Sequence, residues 1–113
     1  MNYLGIDHHR QYSHLRVMDQ RGQVLRSGRV ANLRSEIGKL LDGLETLEAV
    51  IERGRSSYTM VDVLEEMRVA VKIAYPHEVK AIARAQIKTD KRDSGVLAHL
   101  LRMNMVPEVY RRS

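Results

Sequence analysis

At 113 residues the chain has room for one domain of ordinary size, able to bury roughly two-thirds of the surface its unfolded form exposes, and a second domain will not fit. An apolar fraction of 43% is globular rather than disordered, the apolar runs fall far short of the ~18 residues of a membrane span, and no basic-then-apolar leader opens the chain, so a cytoplasmic protein with no membrane partner is expected. Nineteen basic residues against 14 acidic ones give a net charge of +5, which favours a polyanionic partner over a small acidic substrate, and the lack of cysteine excludes disulfides and thiolate metal ligands.

Tyr3 to Asp7, His14 to Asp19 and Gln23 to Val30 read as three successive strands, the last two joined by the hairpin turn Asp19-Gln20-Arg21-Gly22. Leu33, Ile37, Leu40, Leu41 and Leu44 then recur at helical spacing, with Asn32 as the expected N-cap and Gly43 weakening the end. Leu47 to Ile51 is a short apolar strand. Ser57 caps a helix carrying Val61, Leu64 and Met67, and Val69 to Tyr75 returns to a strand rich in β-branched residues. Pro76 starts a helix with Val79, Ile82, Ala83 and Ile87 on its buried stripe, and a last helix from about Asp90 carries Val96, Leu97, Leu100 and Leu101. The order βββαβαβα, a meander followed by right-handed crossovers, predicts a mixed five-stranded sheet with helices on both faces, the ribonuclease H-like architecture.

Within that order four carboxylates stand out. Asp7 closes the first strand, Glu52 closes the fourth, and Asp90 and Asp93 are spaced to share one helical face. The first and fourth strands of such a sheet run side by side and parallel, and ligand sites form outside strand carboxyl ends where the winding direction changes, so Asp7 and Glu52 should be neighbours there. Carboxylates at the ends of buried strands are poorly solvated and repel one another unless a proton or a divalent cation neutralises them. An all-oxygen set suits Mg²⁺, or Mn²⁺ in its place, better than zinc. Two Mg²⁺ ions about 4 Å apart would activate an attacking water or hydroxyl and stabilise the leaving oxygen of a phosphodiester, with Asp7 as the bridging ligand. Basic residues recur beside every acid: Arg10 after Asp7, Arg53 and Arg55 after Glu52, and Arg84, Lys88, Lys91 and Arg92 around Asp90 and Asp93. These seven are the candidate phosphate contacts, although an exposed charge is more often a solvated one. His8, His9 and His14 lie near the first acid, where a metal or general-base role competes with ordinary strand packing. All five aromatic residues are tyrosines, so affinity for nucleic acid should come from backbone contacts and depend strongly on salt.

Tyr3-Leu4-Gly5-Ile6-Asp7, Tyr75-Pro76-His77-Glu78-Val79-Lys80 and Lys88-Thr89-Asp90-Lys91-Arg92-Asp93 together resemble the DEDD transposases of bacterial insertion sequences, the insertion-sequence one-ten family related to the Piv invertases. The resemblance spans nearly the whole chain, down to Leu100-Leu101-Arg102-Met103-Asn104-Met105-Val106-Pro107-Glu108-Val109-Tyr110. It implies a RuvC-like N-terminal catalytic domain, Mg²⁺ bound by Asp7, Glu52, Asp90 and Asp93, and DNA as the partner. It further implies a structured bridge RNA as a guide, a homo-oligomer in the full-length protein and a nucleoid-associated location. Around the second acid, Glu52-Arg53-Gly54-Arg55-Ser56-Ser57-Tyr58 departs from the usual Glu-Ala-Thr-Gly, which leaves Glu48 as a competing candidate, and Ser94 stands where the family commonly has alanine. Family members carry a further, serine-containing domain that is expected to lie outside this chain, with residues 1–113 forming the RuvC-like domain alone. Three functions compete: a Mg²⁺-dependent DNA-cleaving and strand-transferring transposase domain, a catalytically inactive nucleic-acid-binding module of a truncated transposase, and an actin-like kinase or ATPase fragment. The last normally places glycine and a hydroxyl residue after the aspartate, where this chain has His8-His9-Arg10-Gln11.

Overall fold

The meander expected at the N-terminus is present, and along its middle strand the buried Ser13, Leu15 and Val17 alternate with the less buried Tyr12, His14 and Arg16. In the structure, a computed structural model that describes residues 1–110, β1 (Asn2–His8) pairs antiparallel with β2 (Tyr12–Met18), and β2 pairs antiparallel with β3 (Val24–Ala31). The connection between β2 and β3 is closed by Asp19, whose carboxylate accepts hydrogen bonds from the backbone N–H groups of Arg21 and Gln23, while Gly22 supplies the positive φ of +84°. Next come α1 (Arg34–Leu41), β4 (Leu47–Glu52), α2 (Ser57–Glu66), β5 (Ala70–Ala74), α3 (Pro76–Gln86) and α4 (Ser94–Arg102), so two helices rather than one close the order βββαβαβα. β4 lies parallel to β1, and β5 parallel to β4, giving the five-stranded order β3-β2-β1-β4-β5.

Strand periodicity divides the apolar residues between two cores. On one face Leu4, Ile6, Leu15, Val17, Ala49, Ile51, Val71 and Ile73 pack against Ile37 and Leu41 of α1 and Met60, Val61 and Leu64 of α2. On the other, Val50 and Ala74 pack against Val79 and Ala83 of α3 and Val96, Leu97, Leu100 and Leu101 of α4. α4 is the inner helix, with seven of its nine residues buried. Each of its fully buried leucines contributes roughly 2 kcal/mol of transfer free energy. The free edge of β5 is covered by the chain after α4: Val109 N–H donates to the Ile73 carbonyl at 2.6 Å and Tyr75 N–H to the Pro107 carbonyl at 3.0 Å, which removes one edge from unwanted pairing. Among the described residues no helix is long and apolar enough to cross a membrane.

Three helix starts differ from expectation. α1 begins at Arg34 with Leu33 in the N-cap position, because the Asn32 side chain is engaged elsewhere: it accepts from Ser13 Oγ and donates to the His9 carbonyl. α2 begins at Ser57 with Ser56 in the N-cap position, because the Ser57 hydroxyl is bonded to the backbone of Gly54 instead. The last helix begins at Ser94 rather than near Asp90. Asp93 is its N-cap and accepts from Val96 N–H at 2.9 Å, so Asp90 and Asp93 do not share a helical face.

The seat of α4 depends on Gly5. A Cβ built at Gly5 would overlap the Ser94 carbonyl and stand 2.6 Å from the Ala98 nitrogen, both backbone groups that cannot rotate away. Gly5→Ala is therefore expected to lower the unfolding free energy by about 2–3 kcal/mol, as overpacking against backbone does. Gly54→Ala, which meets nothing within 4 Å, should change it by less than about 0.5 kcal/mol. Urea unfolding of the two variants checks the pair, and equal stabilities would refute the close-approach account.

Candidate functional site

Register brings the first two acids together. Ile6 pairs with Ile51 on the parallel strands β1 and β4, so the next residues, Asp7 and Glu52, leave the sheet side by side on the α4 face. Glu48 pairs with Tyr3 at the opposite end of β4, away from Asp7. The Asp7 side chain is 37% exposed and its Oδ1 lies 3.4 Å from His9 Nε2. Glu52 is the more enclosed of the two, at 23% exposure. Its Oε2 is buried and takes no hydrogen bond among the described residues; the cation beside it is Arg92, with Nη1 3.8 Å away. Burial pushes the Glu52 carboxyl above the usual glutamate range, Arg92 pulls it back, and the neighbouring Asp7 charge pushes it up again.

The other two predicted acids part company. Asp93 lines an open cleft of about 390 Å³ together with Asp7, His9, Tyr12, His14 and Ser94. Asp90 sits on the loop between α3 and α4, 76% exposed, in an ion pair with Arg84. The carboxylates match Mg²⁺ in chemistry, and the unbonded Glu52 Oε2 beside Asp7 is the kind of atom a cation satisfies. Among the described residues no three His, Asp or Glu side chains stand close enough together to hold a metal ion.

Behind the acids, a polar network braces the end of β1. His8 Nδ1 is 2.9 Å from Ser13 Oγ, His8 Nε2 is 2.8 Å from Ser56 Oγ, and Ser13 Oγ donates to Asn32 Oδ1 at 2.7 Å. This joins β1, β2, the end of β3 and the start of α2 on the face away from α4. Burial and the adjacent His9 hold His8 below the usual histidine range, against the opposing pull of its Ser56 bond and Asp7. His14 faces the cleft instead and bonds Ser94 Oγ at 2.8 Å through Nδ1.

All seven basic residues singled out in the sequence are exposed. Arg92 reaches Glu52 and donates to the Pro76 carbonyl, Arg53 lies over the Tyr75 ring at 5.0 Å, and Arg10 lines a small cavity with His8 and Ser56. Arg55, Lys88 and Lys91 lie in the loops after β4 and α3, and Arg84 is taken up by Asp90. Tyr12, Arg16 and Arg29, which line the Asp7–Asp93 cleft, were not legible as site residues. Their signal is cross-strand: Asp7 pairs with His14, and His14 with Arg29, a row that appears only once the register is known.

The sequence model of the DEDD transposase family of insertion sequences, described as Transposase, matches residues 4–112. Among solved structures, Thermus thermophilus RuvC matches with a TM-score of 0.62 at 13% identity, over 96% of this chain and 100% of that one. The RuvC of the same organism in complex with a Holliday junction substrate matches with a TM-score of 0.58 at 14% identity, over 96% and 99% of the two chains. No curated protein matches the sequence.

The raised Glu52 carboxyl makes a stability prediction with a definite sign. The folded state holds this proton more tightly than the unfolded chain, so ionising Glu52 costs stability as pH rises from the ordinary glutamate range through its raised value. Glu52→Gln should therefore melt at a higher temperature than the parent at neutral pH, with the difference vanishing in acid below the ordinary glutamate range. Thermal melts across pH without divalent metal check this; a variant less stable at neutral pH would contradict it.

Proposed function

Because the chain belongs to the DEDD transposase family, we propose that it is the N-terminal, RuvC-like catalytic domain of a transposase, cutting DNA phosphodiesters and transferring strands with Mg²⁺ bound at the adjacent Asp7 and Glu52 and with Asp93 drawn in when the metal binds. The observation that carries this reading is the buried, unbonded Glu52 Oε2 held next to Asp7 at the carboxyl ends of two parallel strands. Such a carboxylate pair is costly to keep ionised without a cation. When bound there, Mg²⁺ would supply Lewis-acid stabilisation of a phosphoryl oxygen and a more acidic water.

The residues have distinct parts in this reading. Asp7 and Glu52 bind from the strand ends. Asp93 keeps one oxygen on the α4 N-terminus, which fixes the carboxyl at the rim of the cleft. His9, beside Asp7 Oδ1, orients that carboxylate. Arg92 neutralises part of the Glu52 charge. Asp90, the fourth acid implied by the family, lies outside this group and would join it through a rearrangement of the loop between α3 and α4. DNA is the proposed partner because the chain is basic, Arg92 stands beside Glu52, and the exposed Arg10, Arg53, Arg55, Lys88 and Lys91 lie on the segments that follow or flank the acids in sequence. The solved RuvC with a Holliday junction supports a branched substrate. The family resemblance extends the proposal to a structured guide RNA and to a homo-oligomer of the full-length protein. A second reading, binding of nucleic acid without turnover, draws on the separation of Asp90 from the other acids.

Cleavage of a labelled four-way DNA junction in Mg²⁺ or Mn²⁺ tests the reading. Asp7→Asn and Glu52→Gln should each lower the rate by at least about 100-fold, the several kcal/mol a metal site contributes to the transition state. Crystals soaked in Mn²⁺ should show anomalous density between Asp7 and Glu52. Junction binding by the parent chain with neither cleavage nor bound Mn²⁺ would leave the binding module as the function.

A further inference from the structure

Beyond the acids, the same cleft has a second wall that its sequence does not announce. Tyr12 lies between two flat groups: the Arg29 guanidinium 3.6 Å from its ring centroid, and the His9 imidazole stacked at 4.6 Å with an interplanar angle of 19°. Two planar groups at those separations cannot share one face of the ring, so both faces of Tyr12 are taken. The stack begins at the Asp7 carboxylate, through His9, and ends at Arg29. It links the acid on β1 to a guanidinium on β3.

Arg29 is exposed, and among the described residues no side-chain or backbone oxygen accepts from its guanidinium. Five donors in a planar fork, held still by a ring and left unpaired, are prepared for a tetrahedral anion. Arg16, on the neighbouring β2, stands near it on the same face of the sheet. Its Nε donates to Ser27 Oγ at 3.4 Å, and its guanidinium lies against Gly95 in the first turn of α4, where an added Cβ would come within 3.0 Å of Nη1. Both arginines line the cleft that contains Asp7 and Asp93. One side of the cleft is thus anionic and the other cationic. The cleft is open, without an apolar enclosure for a small molecule. A base has no free ring face on Tyr12 to stack upon, so a nucleic acid would be met here through its phosphates.

The geometry points to a phosphate-binding track formed by Arg29 and Arg16, with Tyr12 as the anchor of Arg29, that leads a DNA strand from the acids outward across β2 and β3. This rests on the nuclease reading of Asp7 and Glu52 and adds the direction in which the strand leaves them. Tyr12 and His9 are positioning residues, and Arg29 and Arg16 touch the substrate. The loops after β4 and α3, where the sequence concentrates its basic residues, would contact the substrate on the other side of the acids.

The test is fluorescence anisotropy of a labelled four-way DNA junction against salt concentration, in Ca²⁺, with the parent chain and variants confirmed folded by thermal melts. Arg29→Ala and Arg16→Ala should each weaken binding several-fold and lower the slope of log affinity against log salt by about 0.7–0.9, the signature of one lost phosphate contact. Tyr12→Phe should bind like the parent. Tyr12→Leu should weaken binding while most of the slope remains, because the charge persists and only its placement is lost. Arg34→Ala, on α1 across the sheet and paired with Glu66, serves as the control. If both cleft arginine variants match the control while Asp7→Asn still abolishes cleavage, the track is wrong and the nuclease reading stands. If the parent chain neither binds nor cuts the junction, both fall. Binding of an RNA junction but not the DNA one would overturn the assignment to DNA.

Discussion

Gly5 lets the backbone of α4 settle onto β1 until the Ser94 carbonyl and the Ala98 nitrogen meet the strand, and the rest of the cleft is laid out from that contact. A side chain at position 5 would hold the helix away from the sheet and take the N-cap of α4 with it. Because the cap is Asp93, the same close approach places a carboxylate at the rim of the cleft that Asp7 lines. Ser94, the first residue of the helix, then reaches His14 across the strand next to Asp7. Packing and site geometry are set by one missing Cβ.

Electrostatics accounts for much of what surrounds this contact. Two carboxylates leave adjacent parallel strands at their buried ends, where solvent can screen them only in part. The fold offsets part of their repulsion from outside rather than by a hydrogen bond to Glu52: Arg92 stands beside it at a distance too long for one. The Glu52 oxygen remains unbonded as a result. On the face opposite α4, the His8, Ser13, Asn32 and Ser56 network ties together the segments that carry these acids, so their positions do not rest on loop conformation alone.

Belonging to a transposase family and sharing the fold of RuvC gives this arrangement a context, while the residues show how this chain builds it. The stretch after Glu52 departs from the family's usual wording, yet the strand register still leaves Glu52 beside Asp7 and Glu48 at the far end of β4. Asp90 illustrates the opposite case. It keeps the family's motif but is held on the surface by Arg84.

Local pattern was sufficient for the elements. The apolar run from Tyr3 to Ile6, the turn at Asp19 to Gly22, the apolar run before Glu52 and the proline opening α3 all rest on interactions between residues close in sequence, and the meander with β4 parallel beside β1 followed from handedness and connection rules. Where local pattern failed, a competing contact decided. Asn32 is a good N-cap by type, but its side chain is claimed by Ser13 and the His9 carbonyl, partners distant in sequence. The spacing of Asp90 and Asp93 suits a helix, but capping by Asp93 starts that helix one residue after it, and Asp90 is left on the loop. The sequence by itself determined the fold class and the proximity of Asp7 to Glu52, because strand ends and parallel crossovers are written in periodicity. Only the tertiary structure decided the Tyr12, Arg16 and Arg29 wall and the exclusion of Asp90, because a cross-strand row and a surface ion pair depend on which side chains the packed sheet brings face to face.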